Sequence, residues 1–208
     1  MNYNAIVFDL GGVVIDLDRM RCIRAFERLG GADIVVYLDQ YTQKGDFFLL
    51  ESGAITAAEF FDRMRPRCPL AQCDTDIQQA FNEFLVSLPV ERLQALRRLR
   101  RQCKVFALSN TNPVMFNSWI DNAFRAEGLK MDDYFDGVIA SFREHCCKPA
   151  KGIFEVLQTR YGLDPKKVLY LDDAPANVEA AASTGLQTQL VTPQHDMLQI
   201  LKEIGGNC

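Results

Sequence analysis

The segment Ala5–Val14 places the strongest constraint on how this chain can fold. Four apolar or aromatic residues lead directly to Asp9, and the pair Gly11-Gly12 follows one residue later. A continuous apolar run predicts a strand that is buried on both faces, as in a parallel sheet. Glycines beyond such a strand allow a tight turn and a close approach of the backbone to a ligand. We therefore expect Asp9 at the carboxyl end of a central strand, where open α/β sheets place their active sites.

Strands and helices alternate in the second half of the chain, which predicts a doubly wound parallel α/β sheet. Each predicted strand is a short apolar run, and the last run is more polar, as expected at a sheet edge. The predicted strands cover 105–108, 137–140, 168–171 and 187–191. The predicted helices cover 90–101, a segment from Asn112-Pro113 toward Gly128, 151–161, 176–184 and a final helix capped by Thr192-Pro193.

The segment 19–88 has a different pattern from the second half, because it has no β-branched run long enough for a buried strand. Helical patterns cover 18–29, 33–41, 75–86 and a helix that begins at Thr56. Thr56 and Glu59 have the spacing of a capping box, in which each side chain bonds the other residue's backbone N–H. About 70 residues are too many for a loop, so they predict an inserted helical subdomain.

Composition excludes several classes of protein. The 208 residues are 48% hydrophobic and 24% charged, as in a soluble globular protein. The net charge of -4 lacks the excess of positive charge that is typical of nucleic-acid-binding proteins. The first apolar run ends too early for a signal peptide or a membrane span, so we expect a cytoplasmic protein without a membrane partner. Seven cysteines without Cys-x-x-Cys spacing, beside two histidines, predict reduced thiols and no zinc site.

Polar side chains end three of the predicted strands, and a lysine follows a fourth. Parallel strands share one carboxyl edge, so these groups can converge there. A carboxylate can attack phosphorus and split a difficult transfer into two steps. Paired acids would repel it unless a hard cation such as Mg²⁺ lies between them. Hydroxyl and ammonium groups would bind phosphate oxygens and offset their charge. The residues are Asp9, Ser109, Asn110, Lys148, Asp172 and Asp173.

Four motifs in this order resemble those of the haloacid dehalogenase-like (HAD) superfamily, along the whole chain. The superfamily has a strand followed by Asp, a strand ending in Ser or Thr, a Lys often followed by Pro, and a strand ending in acids. The matching segments are Phe8–Val13, Leu108–Thr111, Lys148-Pro149 and Tyr170–Asn177. The resemblance implies a Rossmann-like core, residues 1–15 and 89–208, with a helical C1-type cap, residues 16–88.

The resemblance also implies a role for each matched residue. Asp9 would be the nucleophile and a metal ligand, and the backbone carbonyl of Gly11 would bind Mg²⁺. Asp173 would hold the metal, with Asp172 as second ligand or in the outer shell. Phosphate binding would come from Ser109 and Asn110, and Lys148 would stabilise the phospho-aspartate. Asn177 occupies a position where many relatives carry an acid.

Gly11 is the main departure from the superfamily pattern. Phosphatases of the superfamily usually carry a second Asp there, which protonates the leaving oxygen and later activates water. Asp16, Asp18 or a cap residue is one possible replacement, and a leaving group that needs little protonation, such as an anomeric oxygen, is another explanation. Dehalogenases also lack this acid, but they need no Mg²⁺, which would leave the Asp172-Asp173 pair unexplained.

A subgroup of apparent phosphatases with Phe-Asp-Leu-Gly-x-Val in motif one resembles this chain closely. This favours a Mg²⁺-dependent phosphatase of sugar phosphates or similar small metabolites, acting through an aspartyl-phosphate. Two alternatives stay open, a dehalogenase-like hydrolase and a regulatory protein that binds phosphate with little turnover.

Overall fold

The computed structural model describes residues 3–205, and within them seven strands form two sheets. Five strands are all parallel, and the order across this sheet is β5-β4-β1-β6-β7, while β2 and β3 form a separate antiparallel ribbon. The parallel α/β core is therefore confirmed, with its first strand in the centre and its last at an edge. The strands are Ala5–Phe8 (β1), Asp16–Leu17 (β2), Leu85–Ser87 (β3), Lys104–Ser109 (β4), Gly137–Ala140 (β5), Val168–Asp172 (β6) and Gln187–Leu190 (β7).

Strand β1 is buried on both faces, as its continuous apolar sequence predicts. Successive side chains of a strand point to opposite faces. Ile6 and Phe8 therefore join the larger of two apolar clusters, while Ala5 and Val7 join the smaller one. Every residue of the strand is at most 1% exposed. Helices on both sides of the sheet thus hold its central strand, and with it Asp9, in a rigid layer.

The helices cover both faces of the sheet and fill the insertion between β2 and β3. In chain order they are Arg19–Arg28 (α1), Gly45–Glu51 (α2), Ala57–Met64 (α3), Asp74–Asn82 (α4), Val90–Leu99 (α5), Pro113–Met115 (α6), Asp121–Ala123 (α7), Met131–Tyr134 (α8), Ser141–Glu144 (α9), Lys151–Tyr161 (α10), Pro175–Ser183 (α11) and Met197–Glu203 (α12). Short 3₁₀ turns lie at Ala32–Val36, Arg65–Arg67 and Pro165–Lys167, and a π-helical segment, Phe116–Ile120, joins α6 to α7.

Several helix ends follow from local side-chain chemistry. The capping box at the start of α3 is confirmed, since Glu59 N donates to Thr56 Oγ1 at 3.2 Å and Thr56 N donates to Glu59 Oε2 at 2.8 Å. Asn112 caps α6 by accepting a hydrogen bond from Met115 N. The last helix was predicted one turn too early, because its cap is Asp196, which accepts from Gln199 N.

The inserted segment differs from its sequence prediction in three places. The helix predicted over 33–41 is the short 3₁₀ turn Ala32–Val36, consistent with the low helix propensity of its Ile-Val-Val run. Helix α2 was not predicted at all. Strand β3 replaces the end of the predicted helix 75–86, because Leu85–Ser87 pairs with Asp16–Leu17. Across residues 3–205, every helix is too short or too polar to cross a membrane.

Candidate active site

The polar side chains predicted at the strand ends meet at one point on the sheet edge. Lys148 Nζ lies 2.8 Å from Asp9 Oδ2 and 2.7 Å from Asp172 Oδ2. It also donates to the backbone oxygen of Leu108, at 3.1 Å. The Lys148 side chain is fully buried. The ends of β1, β4 and β6 are thus held together by one ammonium group, which comes from the loop after α9.

Asp172 is surrounded by hydrogen-bond donors. Its Oδ1 accepts from Ala174 N at 2.8 Å and from Asn177 Nδ2 at 3.1 Å. Its Oδ2 accepts from the hydroxyl of Tyr170, from Asn177 and from Lys148. Each carboxylate oxygen offers about two lone-pair directions. The protein itself therefore occupies the hydrogen-bonding capacity of this carboxylate.

Asn110 connects the end of β4 to the loop that carries the lysine. Its Nδ2 donates to the backbone oxygen of Lys148 at 2.9 Å, and its Oδ1 accepts from Lys148 N at 2.8 Å. Ser109 precedes it, is 3% exposed and lines the same cleft. The observed contacts of the Asn110 side chain therefore orient Lys148, a role that the sequence analysis did not foresee.

Burial and crowding control the protonation of these groups. Burial raises the pKa of Asp9 well above its usual range, against the opposing charge of Lys148, and Asp172 and Asp173 raise it further. Burial also raises the pKa of Asp173, to about 6, and the charge of Asp172 adds to this effect. For Lys148, burial alone would lower the pKa, but the charges of Asp172 and Asp9 outweigh it and raise the pKa.

The donor set fits a hard divalent cation. Asp9, Asp172 and Asp173 bring carboxylate oxygens within 4.8 Å of one another. Three ionised carboxylates beside one ammonium group leave an excess of negative charge, which a cation would neutralise. Oxygen donors of this kind suit Mg²⁺. Within residues 3–205, no other side chain donates a hydrogen bond to the Asp173 carboxylate, which therefore keeps acceptor capacity for a metal.

Gly12 permits the position of Asp173. Its φ of +71° lies in the left-handed region that favours glycine, and a Cβ atom there would overlap the Asp173 carboxylate. The turn closes through Gly12 N, which donates to the backbone oxygen of Ile15 at 2.9 Å. Gly11 precedes it and lines the cleft with its backbone. The double glycine therefore forms the predicted tight turn, and its backbone lies against the Asp173 carboxylate.

A cleft opens above this cluster. Its floor is formed by the strand-end residues described above. Its other walls come from the inserted segment and include apolar side chains such as Phe81 and Phe84, together with polar ones. The polar residues contributed by the insertion are Gln40, Tyr41, Gln43 and Glu51. A small molecule with both polar and apolar parts fits such a lining.

Glu51 is the buried acid of this cleft that the sequence analysis missed. It ends helix α2, is 7% exposed and lines the cleft with Asp9. Burial raises its pKa to about 7, against the opposing charge of Lys148. A signal was present in the sequence, since Glu51 stands four residues after Phe47 and one after Leu50, on the face that becomes buried.

Comparisons with known proteins identify the family of this chain. The family model of the haloacid dehalogenase-like hydrolases matches residues 3–185. A D-ribitol-5-phosphate phosphatase of Bacteroides thetaiotaomicron is 33% identical over 88% of this chain and 89% of its own length. A HAD family enzyme of the same organism, crystallised with magnesium and inorganic phosphate, superposes with a TM-score of 0.88 at 34% identity, over 95% of this chain and 98% of that one.

A third relative is a HAD-like family hydrolase of Porphyromonas gingivalis, with a TM-score of 0.89 and 32% identity over 98% of each chain. The two solved structures match over nearly the whole length of both chains, and the range of the family model contains the strand-end residues. The chain therefore belongs to the haloacid dehalogenase-like hydrolase family.

Proposed function

We propose that this protein is a Mg²⁺-dependent phosphatase of small phosphorylated metabolites, with sugar and polyol phosphates as the favoured substrates. The observation that carries the proposal is the contact of Lys148 with Asp9 beside Asp173, at the floor of the cleft. The similarity to a D-ribitol-5-phosphate phosphatase and to an enzyme crystallised with magnesium and phosphate supports both the substrate class and the metal.

In the proposed reaction, a carboxylate oxygen of Asp9 attacks phosphorus as the bond to the leaving oxygen breaks, and an aspartyl-phosphate forms. Water then attacks this phosphorus, which releases inorganic phosphate and restores the carboxylate. Leu10 N donates to Asp9 Oδ1 at 2.7 Å, and Lys148 binds Oδ2, so the nucleophile is held in one orientation. Preorganisation of this kind lowers the cost of reaching the transition state.

Asp9, Asp173 and the backbone carbonyl of Gly11 would hold Mg²⁺. A bound Mg²⁺ would neutralise phosphate oxygens and favour attack by an anionic nucleophile. Asp172 is proposed to act in the outer shell, since its oxygens already accept hydrogen bonds from the protein and the Lys148 ammonium. The ammonium would in turn compensate the charge of the phosphorylated aspartate.

Phosphate binding is assigned to Ser109, whose hydroxyl lines the cleft at the end of β4. Asn110 is assigned to the same task through the loop that it holds, since its side chain is bonded to the backbone of Lys148. Ordered donors at this edge would contact the phosphate oxygens that do not react.

The insertion is proposed to act as a cap of residues 16–88 over a core of residues 1–15 and 89–208. The β2–β3 ribbon joins the two parts, and the insertion supplies Gln40, Tyr41 and Gln43 to the cleft. Amide and phenol groups can bind the hydroxyls of a polyol chain. The cytoplasmic location remains a prediction from the sequence.

The first test is phosphate release from a panel of sugar and polyol phosphates, with Mg²⁺ and with a chelator. We expect turnover that needs Mg²⁺ and is lost in Asp9→Asn, while Glu155→Gln on the exposed face of α10 serves as the control. Phosphate release that persists with chelator, or in Asp9→Asn, would contradict the proposal.

Gly11 favours a second candidate, a hydrolase whose leaving group needs no proton, such as a dehalogenase. The acidic cluster argues against it, because an extra negative charge at Asp173 would oppose an anionic substrate without a metal. Chloride release from 2-chlorocarboxylic acids without Mg²⁺ would establish this chemistry. Binding of phosphate and Mg²⁺ without any turnover would instead indicate a regulatory protein.

A further inference from the structure

A phosphatase of alkyl phosphates needs an acid for its leaving oxygen, and Gly11 has no side chain to supply it. The two nearby carboxylates considered from the sequence are engaged elsewhere. Asp16 accepts hydrogen bonds from Arg92 and from the Ser87 hydroxyl, each at 2.7 Å. Asp18 caps helix α1. Neither side chain lines the cleft above Asp9.

Glu51 differs from both of them. Its side chain lines the cleft, and within residues 3–205 no group donates a hydrogen bond to its carboxyl oxygens. In this part of the chain, every fully enclosed side-chain oxygen or nitrogen has a hydrogen-bond partner. The carboxyl of Glu51 therefore reaches solvent, and the residue is only 7% exposed. An unpartnered polar group in this setting can bind a ligand that enters the cleft.

The backbone around Glu51 is anchored next to the reacting groups. Its carbonyl oxygen lies 2.8 Å from Ser141 Oγ, which in turn accepts a hydrogen bond from Thr111 N at 3.0 Å. Thr111 follows the phosphate-binding end of β4 by two residues. Lys148 lies close enough to influence the Glu51 carboxyl electrostatically. The end of α2 is thus fixed between the two loops that supply Ser109 and Lys148.

Charge and burial suit this carboxyl to proton transfer. A general acid is most effective when its pKa lies near the working pH, and burial brings the pKa of Glu51 to about 7. The phenol of Tyr41, which also lines the cleft, is the nearest competitor. It is 42% exposed, and burial together with the charges of Asp173 and Asp172 raises its pKa further from neutrality.

We propose that Glu51 replaces the acid missing at Gly11 as the general acid and base of the reaction, an inference that rests on the phosphatase function proposed above. The protonated carboxyl gives its proton to the leaving oxygen as the P–O bond breaks, and the alcohol departs. The resulting carboxylate then takes a proton from the water that attacks the aspartyl-phosphate of Asp9. Inorganic phosphate leaves, and both residues return to their starting states.

The test compares an alkyl phosphate, such as a polyol phosphate, with p-nitrophenyl phosphate, whose leaving group needs no proton. The quantity compared is kcat/KM, because it reports the first irreversible step and not the later hydrolysis. For Glu51→Gln we expect a loss of roughly 10²–10⁴-fold with the alkyl phosphate. With the aryl phosphate we expect a loss of less than about tenfold, on the same principle. Activity of the variant on the aryl phosphate also shows that it is folded.

A second readout follows the intermediate. Without a base to activate water, Glu51→Gln should accumulate phosphorylated Asp9 with the aryl phosphate, detected by mass spectrometry after an acid quench. Asp16→Asn is the matched control variant, because Asp16 does not line this cleft, and it should show no loss that depends on the leaving group.

Three results would overturn the inference. The first is an equal loss on both substrates in Glu51→Gln, and the second is no loss on either. The third is a loss on the alkyl phosphate alone in Asp16→Asn, with no such loss in Glu51→Gln. In all three cases a wild-type protein that still releases phosphate leaves the phosphatase proposal standing. A wild type inactive on both substrates would refute that proposal as well.

Discussion

The buried carboxyl of Glu51 has a consequence for stability that can be measured without any substrate. Its pKa of about 7 in the folded protein compares with an ordinary value of 4.5. Below pH 4.5 the group is protonated in both the folded and the unfolded state, so it does not change the free energy of unfolding. As the pH rises from 4.5 to 7, the unfolded chain releases this proton but the folded protein retains it. The free energy of unfolding must therefore fall across this range.

The size of the effect follows from the two pKa values. One pKa unit corresponds to about 1.36 kcal/mol, so the full difference is worth about 3 kcal/mol, and most of it develops between pH 5 and pH 8. Glu51→Gln removes the ionisation and keeps a neutral side chain of similar shape. We therefore expect the variant to gain about 2–3 kcal/mol relative to wild type between these two pH values.

The assay is urea unfolding of both proteins at pH 5 and pH 8, in the presence of chelator so that metal binding does not contribute. Any constant cost of the glutamine amide cancels, because only the change between the two pH values is used. Glu155→Gln, on the exposed face of α10, should show no such change. The reasoning would be refuted if the difference in the free energy of unfolding between Glu51→Gln and wild type were the same at both pH values. It would also be refuted if the variant were less stable relative to wild type at pH 8 than at pH 5.

Three further changes test the acidic cluster. Gly12→Ala should lower Mg²⁺ affinity by about ten- to a hundredfold by displacing the carboxylate of Asp173, the proposed metal ligand, whereas Gly128→Ala, with a similar φ but open space around it, should leave affinity unchanged in calorimetry. Lys148→Met leaves two buried carboxylates unpaired and should cost about 3–5 kcal/mol in urea unfolding at pH 7; unchanged stability would contradict the ion pairs. Asn177→Asp removes a donor from Asp172 and should destabilise the chelator-treated protein by about 1.5–3 kcal/mol; equal thermal stability would show that this contact is weak.

The sequence predicted the parts of the fold that depend on local patterns and simple topology. The apolar run before Asp9 identified a buried central strand, and the alternation after residue 89 identified a parallel sheet. Because parallel strands share a carboxyl edge, the convergence of Lys148 with Asp9 and Asp172 could be expected before any distance was known.

The parts that escaped prediction depend on tertiary contacts. Helix α2 begins after a polar stretch and at a glycine with φ of +56°, so neither a cap nor a long periodic pattern marks it. Glu51 at its end is marked only by its spacing from Phe47 and Leu50, which indicates burial once the helix itself is known. Likewise, only the structure reveals that Asn110 bonds the backbone of Lys148 and that the oxygens of Asp172 are occupied by protein donors.

Direct detection of the covalent intermediate tests the central claim of this account. The protein would be mixed with an aryl phosphate and Mg²⁺, quenched in acid within milliseconds, reduced with borohydride and mapped by mass spectrometry. The account predicts that the peptide containing Asp9 has homoserine at that position, and that omission of Mg²⁺ abolishes the product. Phosphate release with no reduced residue at Asp9, at any quench time and also in Glu51→Gln, would contradict nucleophilic attack by this carboxylate.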